Sequence, residues 1–428
     1  MNNGADWQKG NAQYLSAAMV WLRACLEEFA GQQTENQSVL ALPALPVREG
    51  RKSTWRHFLG GTAELPAKTP NLLLPGAGTR GDQRVARAAA AMQAAANEMD
   101  PPPALLILSQ RLGLSQFEQQ VLILCLGMEL DTGIAGLCAR CQKDPGRPYP
   151  TFALAFSLFE GASWEALSPE RPLRYWRLIE ITQPGGQPLT TSALRADERI
   201  VNYNKGLNYL DDRLLPLLTP IDQPTGGPDL PPSHRDAVDT IIWRLKHVDA
   251  NRSLPIVQLL GADPASKQLV AAEVSNSIGV QLYRLPAMLL PTQAADIETL
   301  ARLWQRESLL LPLALYLDTL GQSADPAVSG PSSPVTRLLE RMEGAVFLDT
   351  RECWPGLHKL TVSVDITKPT AAEQAAAWQS ALGLAAGESP AQLAAQFNLS
   401  YTTIRQLAGD AFSEQTDQTE QHDRMWEA

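Results

Sequence analysis

Residues 261–268 carry part of a sequence pattern that binds phosphate. The stretch Gly261-Ala-Asp-Pro-Ala-Ser-Lys-Gln268 retains the first glycine and the lysine of G-x-x-x-x-G-K-[ST], whereas Ser266 replaces the second glycine and Gln268 replaces the hydroxyl residue. In the intact pattern, backbone N–H groups surround the phosphates, the lysine matches their charge, and the hydroxyl binds Mg²⁺. The chemistry that this stretch could support is therefore binding of phosphate together with Mg²⁺.

The departures from the pattern each weaken a different part of that chemistry. The Cβ atom of Ser266 obstructs close approach of the backbone to a phosphate, Pro264 lacks an N–H donor, and Asp263 adds a negative charge. A second interpretation is that Asp263 caps an ordinary helix whose first residue is Pro264. Lys267 is present under both interpretations, and the local residues leave both open.

Two other polar positions follow apolar stretches. Asp318 ends the stretch LALYLD, and Asp349 with Thr350 ends the stretch VFLDT. If both stretches are parallel strands, their carboxyl ends meet at one edge of the sheet, which is where open α/β sheets bind ligands. We therefore expect Gly261, Asp318 and Asp349 to lie at the same edge.

The elements that would position these residues are apolar strands alternating with helices. Strands are predicted at 255–260, 280–285, 312–318, 345–349 and about 360–364, and helices at 233–248, 266–278, 292–307 and 335–342. This alternation is typical of an α/β domain with a parallel, doubly wound sheet covered by helices, which we assign to residues 228–368. The helices predicted at 371–382, 390–397 and 402–412 would form a helical lid at 369–412, followed by an acidic tail at 413–428.

The N-terminal half has a different organisation. Residues 1–103 are predicted to form a helical arm, with an amphipathic helix at 11–30, and a connector rich in proline and glycine. In residues 104–222, a capping box at Ser115 and Glu118 begins a buried helix. A hairpin is predicted with strands at 174–181 and 187–193. Short helices followed by a hairpin indicate an α+β winged-helix domain.

The overall composition limits the possible functions. The formal net charge is −10 and the apolar fraction is 44%, so a packed globular protein is expected, and a chain-wide role in binding nucleic acid or membrane is disfavoured. Five scattered cysteines do not indicate a disulfide framework, and the pair Cys138 and Cys141 is predicted to lie in a helix rather than to bind zinc. The N-terminus lacks the layout of a signal peptide, which favours a cytoplasmic protein without a membrane segment.

Several longer stretches resemble one protein family. The phosphate-loop-like turn, the stretches LALYLD and VFLDT, and the predicted helical bundle together resemble an AAA+ ATPase module. The stretches DWQKGNAQYLSAAMVWLRACLEEF, LSQFEQQVLILCLGMELD, RPYPTFALAFSLF and RPLRYWRLIEI resemble bacterial AAA-family ATPases that have an N-terminal winged-helix domain, including those encoded with contractile injection systems. Members have two tandem modules, and this chain resembles the first, degenerate one; the sequence stops where the active module usually follows.

The resemblance implies roles for individual residues. It assigns Thr319 to the position where active modules have the glutamate that orients water, so hydrolysis by this module is not expected. Arg405 would correspond to the arginine sensor of the lid. The residues implied at a nucleotide are Gly261, Ser266, Lys267, Gln268, Thr350 and Arg405, and Asp318 is implied at Mg²⁺.

Two functions are compatible with these sequence features. One is a degenerate nucleotide-binding AAA+ module that acts in ring assembly and in remodelling or assembling a protein complex, with weak or absent binding of ATP or ADP and Mg²⁺. The other is a non-enzymatic winged-helix scaffold that does not bind nucleotide. In both, the winged-helix domain contacts protein partners and the chain forms a homo-oligomer or ring. DNA binding is disfavoured, because no predicted helix carries the cluster of Arg, Lys, Asn and Gln residues expected of a groove reader.

Overall fold

The computed structural model describes residues 3–35, 80–222, 230–248, 253–319, 333–383 and 389–413. The predicted connector between the first two helices and almost all of the predicted acidic tail lie outside these residues. The described chain divides into two compact units, residues 3–211 (unit 1) and residues 212–413 (unit 2). The described residues of the first 103, which were predicted as an arm, thus belong to the same unit as most of the segment predicted as a winged helix.

Unit 1 is mainly helical in its described part. Its helices are α1 (Asn3–Glu35), α2 (Arg80–Asn97), α3 (Ala104–Leu112), α4 (Gln116–Leu130), α5 (Ile134–Cys141), α6 (Phe152–Leu158), α7 (Pro172–Tyr175) and α8 (Glu198–Asn204). Helix α1 packs against α2, α4 and α5. Its Tyr14, Ala18, Leu22 and Leu26 are almost completely buried. Burial of this face explains why α1 belongs to the unit rather than standing apart from it.

The predicted capping box begins helix α4. The Ser115 hydroxyl accepts a hydrogen bond from the Glu118 N–H at 3.3 Å, and the Glu118 carboxylate accepts one from the Ser115 N–H at 2.9 Å. Arg171 then donates to the same buried carboxylate at 2.8 Å. The capping residues therefore also connect α4 to the segment before α7.

The hairpin of unit 1 lies later in the chain than predicted. Its strands are β1 (Ile179–Thr182) and β2 (Ala193–Ala196), paired antiparallel. The prediction that a strand begins at residue 174 was wrong, because Pro172 starts the short helix α7 and Arg177 has a φ of +50°, which separates that helix from β1. Pro188 precedes a 3₁₀ turn, which delays the return strand.

The cysteine pair lies inside helix α5, as predicted. Cys138 and Cys141 are buried, and burial raises the pKa of the Cys138 thiol to about 12 and that of Cys141 to about 11. Within the described residues, no cluster of three or more histidine, cysteine or acidic side chains could hold a metal ion. These thiols are therefore packing residues of the helix.

Unit 2 contains a six-stranded sheet. Its strands are β3 (Thr219–Pro220), β4 (Ile256–Leu260), β5 (Gln281–Pro286), β6 (Leu313–Asp318), β7 (Ala345–Asp349) and β8 (Thr361–Asp365), in the order β3-β5-β6-β7-β4-β8. The five predicted strands are confirmed and pair in parallel. The short strand β3 was not predicted and pairs antiparallel with β5.

Helices connect the strands of this sheet. They are α9 (Pro232–Lys246), α10 (Pro264–Ser277), α11 (Ala294–Leu310) and α12 (Pro334–Arg341). The chain leaves β4, crosses to β5 near the far edge, returns through β6 and β7, and then passes β4 to reach β8. The strands β7 and β8, which follow each other in the chain, thus lie on opposite sides of β4. Open α/β sheets bind ligands at such a position, beyond the carboxyl ends of the strands. Residues Gly261 to Lys267 lie there.

Three helices after the sheet pack as a small cluster. They are α13 (Ala371–Leu382), α14 (Ser389–Gln396) and α15 (Tyr401–Ser413), close to the predicted bounds. Trp378, Leu393 and Ile404 form their buried core, and Leu269 of α10 packs against it. Among the residues that the structure describes, no helix combines the length and apolar character that crossing a bilayer requires.

Candidate functional site

The turn after β4 is packed against the chain's own backbone. Gly261 has a φ of +121°, and a Cβ atom at this position would lie 2.3 Å from the carbonyl oxygen of Ile366. Ile366 follows β8 and donates its N–H to the Leu260 carbonyl at 2.9 Å. Glycine is therefore required here by contact with the neighbouring chain segment, independently of any phosphate.

The N-terminus of α10 is capped from within. The Asp263 carboxylate accepts a hydrogen bond from the Ser266 N–H at 3.1 Å, and Pro264 is the first residue of the helix. The predicted helix cap is thus confirmed. A phosphate at the start of α10 would need the Ser266 N–H, and the Asp263 carboxylate already accepts from it.

Lys267 is completely buried, and its ammonium group has three partners inside the protein. It donates to the carbonyl oxygen of Gly261 at 2.8 Å and to that of Thr350 at 3.0 Å, and it forms an ion pair with the Asp349 carboxylate. A lysine ammonium has three N–H donors, so these partners match its full capacity. The lysine that the sequence assigns to phosphate therefore connects the loop after β4 to the end of β7.

Asp349 is the centre of a buried polar cluster. Its side chain is 1% exposed, and its carboxylate also accepts a hydrogen bond from the Tyr316 hydroxyl at 2.6 Å. Burial raises the pKa of Asp349, and this effect outweighs the lowering by Lys267 and Tyr316. Burial and the neighbouring Asp349 carboxylate likewise raise the pKa of Tyr316. The tyrosine therefore acts as a neutral donor.

The predicted metal ligand is held by an arginine. Asp318 lies beside Asp349 in the sheet register, as expected. Its carboxylate accepts hydrogen bonds from the guanidinium of Arg284 on β5, one of them from Nε at 3.1 Å, and the two side chains form an ion pair. Arg284 thus neutralises the charge that would attract Mg²⁺.

The two threonines at the strand ends make backbone contacts. Thr319 is buried, and its hydroxyl donates to the Asp349 carbonyl. The Thr350 hydroxyl donates to the Glu352 carbonyl at 2.8 Å, and the Thr350 N–H donates to the Leu259 carbonyl at 3.1 Å. Both hydroxyls stabilise the strand ends in this arrangement, and neither residue can act as a general base.

The remaining predicted residues lie in different surroundings. Ser266 is buried with a hydroxyl that lacks a hydrogen-bond partner, and Gln268 is half-buried on the next position of α10. Arg405 is exposed on α15, with its guanidinium 6.0 Å from the centre of the Tyr401 ring. The structure therefore brings together Gly261, Lys267 and Thr350 through hydrogen bonds, whereas Arg405 stacks within its own helix.

A Mg²⁺–nucleotide complex does not fit these contacts. A bound triphosphate would need the Lys267 ammonium, which is paired with Asp349, and the Ser266 N–H, which is bound to the Asp263 carboxylate. Mg²⁺ would need the Asp318 carboxylate, which Arg284 holds. The same atoms that could bind nucleotide instead hold the sheet edge together.

An open cavity lies between the capped turn and the helical cluster. It measures about 670 Å³, and Asp263, Lys368, Gln374 and Asn398 are among its lining residues. Two of these bind each other, because Gln374 Nε2 donates to the Asn398 side-chain oxygen at 3.0 Å. Lys368 donates to the Asn398 carbonyl at 2.6 Å. The polar groups of this cavity therefore connect α13 to the segment before α15.

Sequence reasoning missed two residues of the site. Tyr316 and Arg284 lie on β6 and β5 and are directly paired in the sheet register. The sequence did show the Tyr316 hydroxyl and the Arg284 charge inside otherwise apolar stretches, which could have marked them as polar residues of the site. Their partners depend on which strands are neighbours, which the sequence alone did not predict.

Comparison with known families gives two matches. Residues 10–218 match the family described as a winged helix domain, variant. Residues 370–428 match the family described as a contractile injection system ATPase helical domain. The match shows a winged-helix domain, as predicted, and it extends into residues 10–103, which the sequence analysis assigned to a separate arm. No curated protein matches the chain. The two family matches flank the sheet of unit 2, and they support a protein of the contractile-injection-system ATPase type.

Proposed function

We propose that this chain is a non-hydrolysing, AAA+-type assembly subunit of a contractile injection system. In this proposal, unit 2 is a degenerate AAA+ module that does not bind nucleotide, and unit 1 recruits a protein partner. The observation that carries the proposal is the position of Lys267, which is fully buried and bound to Asp349, Gly261 and Thr350.

The order of the elements supports an AAA+ origin of unit 2. The strand β4, the turn at Gly261 and the helix α10 have the arrangement of a phosphate loop, with Lys267 at the expected spacing. Asp318 and Asp349 end the two nearest strands on one side, and the helical cluster that follows matches a domain of contractile injection system ATPases.

The lost chemistry supports a structural role for that module. Lys267, implied to neutralise phosphate charge, forms an internal ion pair with Asp349. Asp318, implied to bind the metal, is paired with Arg284. The position implied to activate water holds the buried Thr319. The fold is retained while its phosphate chemistry is absent, which is the expected outcome when a module is kept for protein contacts. Assembly into a homo-oligomer or ring would then proceed without nucleotide.

The test is titration of the full chain with a fluorescent ATP analogue and Mg²⁺, using wild type and Lys267→Ala, together with a phosphate-release assay. The proposal predicts the same absence of binding and turnover in both proteins. Binding by wild type that is lost in Lys267→Ala would support a nucleotide-dependent subunit instead. Sedimentation velocity without nucleotide tests the assembly: a monomer at all concentrations would contradict a nucleotide-independent oligomer.

A further inference from the structure

Unit 1 contains a groove between α1, α2, α4 and the end of α6. Its volume is about 480 Å³. Its lining includes Trp21 and Phe29 of α1, Phe159 after α6, and Val85 of α2. The Trp21 and Phe159 rings stack with their centres 5.9 Å apart. The groove therefore has rigid aromatic walls of the kind that accept an apolar side chain of a partner.

One wall of the groove has a polar atom that lacks a partner. Gln120 of α4 lines the groove and is 7% exposed, and its side-chain oxygen has no hydrogen-bond partner. Leaving a buried amide oxygen unsatisfied costs about 1–3 kcal/mol. The oxygen itself is covered, so a ligand donor reaches it when the Gln120 side chain turns toward the groove. A donor bound in that way would recover the cost, and the groove can then select for an N–H group beside the apolar contact.

The charge of the lining has one sign. Glu28 and Glu160 contribute carboxylates, and no lysine or arginine is among the described residues that line the groove. Arg84, next to Val85 on α2, forms an ion pair with Glu27 at 2.7 Å, so its charge is already matched. The exposed Glu160 stands at the mouth of the groove. An acidic rim around an apolar cavity favours a basic partner.

From these three features we infer that the groove binds a basic amphipathic segment of a partner protein. An apolar side chain of the segment fills the cavity beside Trp21 and Phe159, an N–H group donates to Gln120, and a lysine or arginine lies near Glu160. The inference rests on the adaptor role proposed above and specifies its recruiting surface.

The probe is a fluorescein-labelled helical peptide with one leucine face and one lysine face, measured against the full chain by fluorescence anisotropy at low salt. A peptide of the same length with glutamate in place of lysine is the charge control. The inference predicts binding of the lysine peptide only. If wild type does not bind the lysine peptide, the inference is overturned, even where the cause is another part of the chain that fills the groove. Equal binding of both peptides would also overturn it.

Two variants locate the binding. Glu160→Lys should weaken binding of the lysine peptide at least about fivefold through charge repulsion, whereas Glu98→Lys, an exposed reversal just after α2 that does not line the groove, should change it much less. Equal weakening by both reversals would mean that the peptide binds through general charge and would overturn the inference.

Gln120→Leu separates a binding role from a structural role. Removal of an unsatisfied buried oxygen should leave the melting temperature unchanged or raise it, and it should weaken peptide binding because the acceptor is lost. Unchanged affinity in a stably folded Gln120→Leu protein would contradict the inferred contact. These outcomes do not depend on Lys267, so nucleotide binding by unit 2 would refute the proposed function without changing the result for the groove.

Discussion

Replacement of Gly261 by alanine distinguishes a packing glycine from a phosphate-loop glycine. In a phosphate loop, the added methyl group would obstruct nucleotide and leave the unliganded fold largely intact. In this structure, the new Cβ atom would lie 2.3 Å from the Ile366 carbonyl oxygen, and the residue would keep a φ of +121°. The unliganded protein itself should therefore be destabilised.

The expected magnitude follows from two costs. Left-handed backbone strain for alanine costs roughly 1–2 kcal/mol, and forcing the Ile366 carbonyl away adds about 1–3 kcal/mol of overpacking. We expect Gly261→Ala to lower the free energy of unfolding by about 2–5 kcal/mol. Gly279→Ala is the matched control, because Gly279 has a φ of +71° and open space around its Cβ position. That variant should show only the strain.

The assay is urea denaturation of the full chain, with hydrogen exchange to locate the effect at β4 and β8. The two alanine variants should differ by at least the overpacking cost, because a φ of +121° is also less accessible to alanine than +71°. The amides next to Ile366 should lose protection only in Gly261→Ala. Equal destabilisation by both substitutions would refute the conclusion that the turn is packed against the segment after β8.

Other predictions concern pH and the helical cluster. Because the pKa of Asp349 is raised in the folded state, its carboxylate binds a proton more tightly in the folded than in the unfolded protein. The free energy of unfolding of wild type, relative to that of Asp349→Asn, should therefore fall as pH rises above the ordinary value of 3.8. Urea denaturation at several pH values measures this relative stability, and a rise with pH would contradict the prediction. Glu373 accepts hydrogen bonds from the N–H groups of Ser233 at 2.7 Å and Thr370 at 2.8 Å. Burial opposes this effect, but these bonds lower the pKa of Glu373 overall. The protection factors of the α13 amides, which correct exchange for its intrinsic pH dependence, should therefore decrease as pH falls below 4.5 and in Glu373→Gln at neutral pH. Unchanged protection factors would argue against the contact.

The local features of the fold were predictable from the sequence. Asp263 and Pro264 cap α10 as predicted because capping depends on residues within one helical turn. The five parallel strands were found because buried strands are continuous apolar stretches. Each of these signals lies within a short segment, so neighbouring residues suffice to produce the structure.

The features that depend on distant residues were not predictable in the same way. The partner of Asp318 is Arg284, and that contact requires β5 and β6 to be neighbours. The short strand β3 was missed because two residues contain no periodic pattern. The sequence indicated departures from the phosphate-binding pattern, but the internal binding of Lys267 depends on β7 lying beside β4.

The same dependence on neighbouring strands gives Lys267 a structural role in the loop after β4. Removing one partner of a buried ion pair typically costs about 3–5 kcal/mol, because the other charge stays buried. Replacing both partners with apolar residues can be neutral or stabilising. Replacing Lys267 or Asp349 alone should therefore lower the free energy of unfolding, whereas replacing both together should lower it much less.

A double-mutant cycle on Lys267 and Asp349 measures this pairing. The cycle uses Lys267→Met, Asp349→Leu and the double variant, with the free energy of unfolding determined for each protein by urea denaturation. Internal binding of Lys267 predicts a coupling energy of about 1–3 kcal/mol, with the double variant more stable than the sum of the single changes implies. A coupling energy within about 0.3 kcal/mol of zero would mean that Lys267 and Asp349 act independently, and it would contradict the internal binding of Lys267.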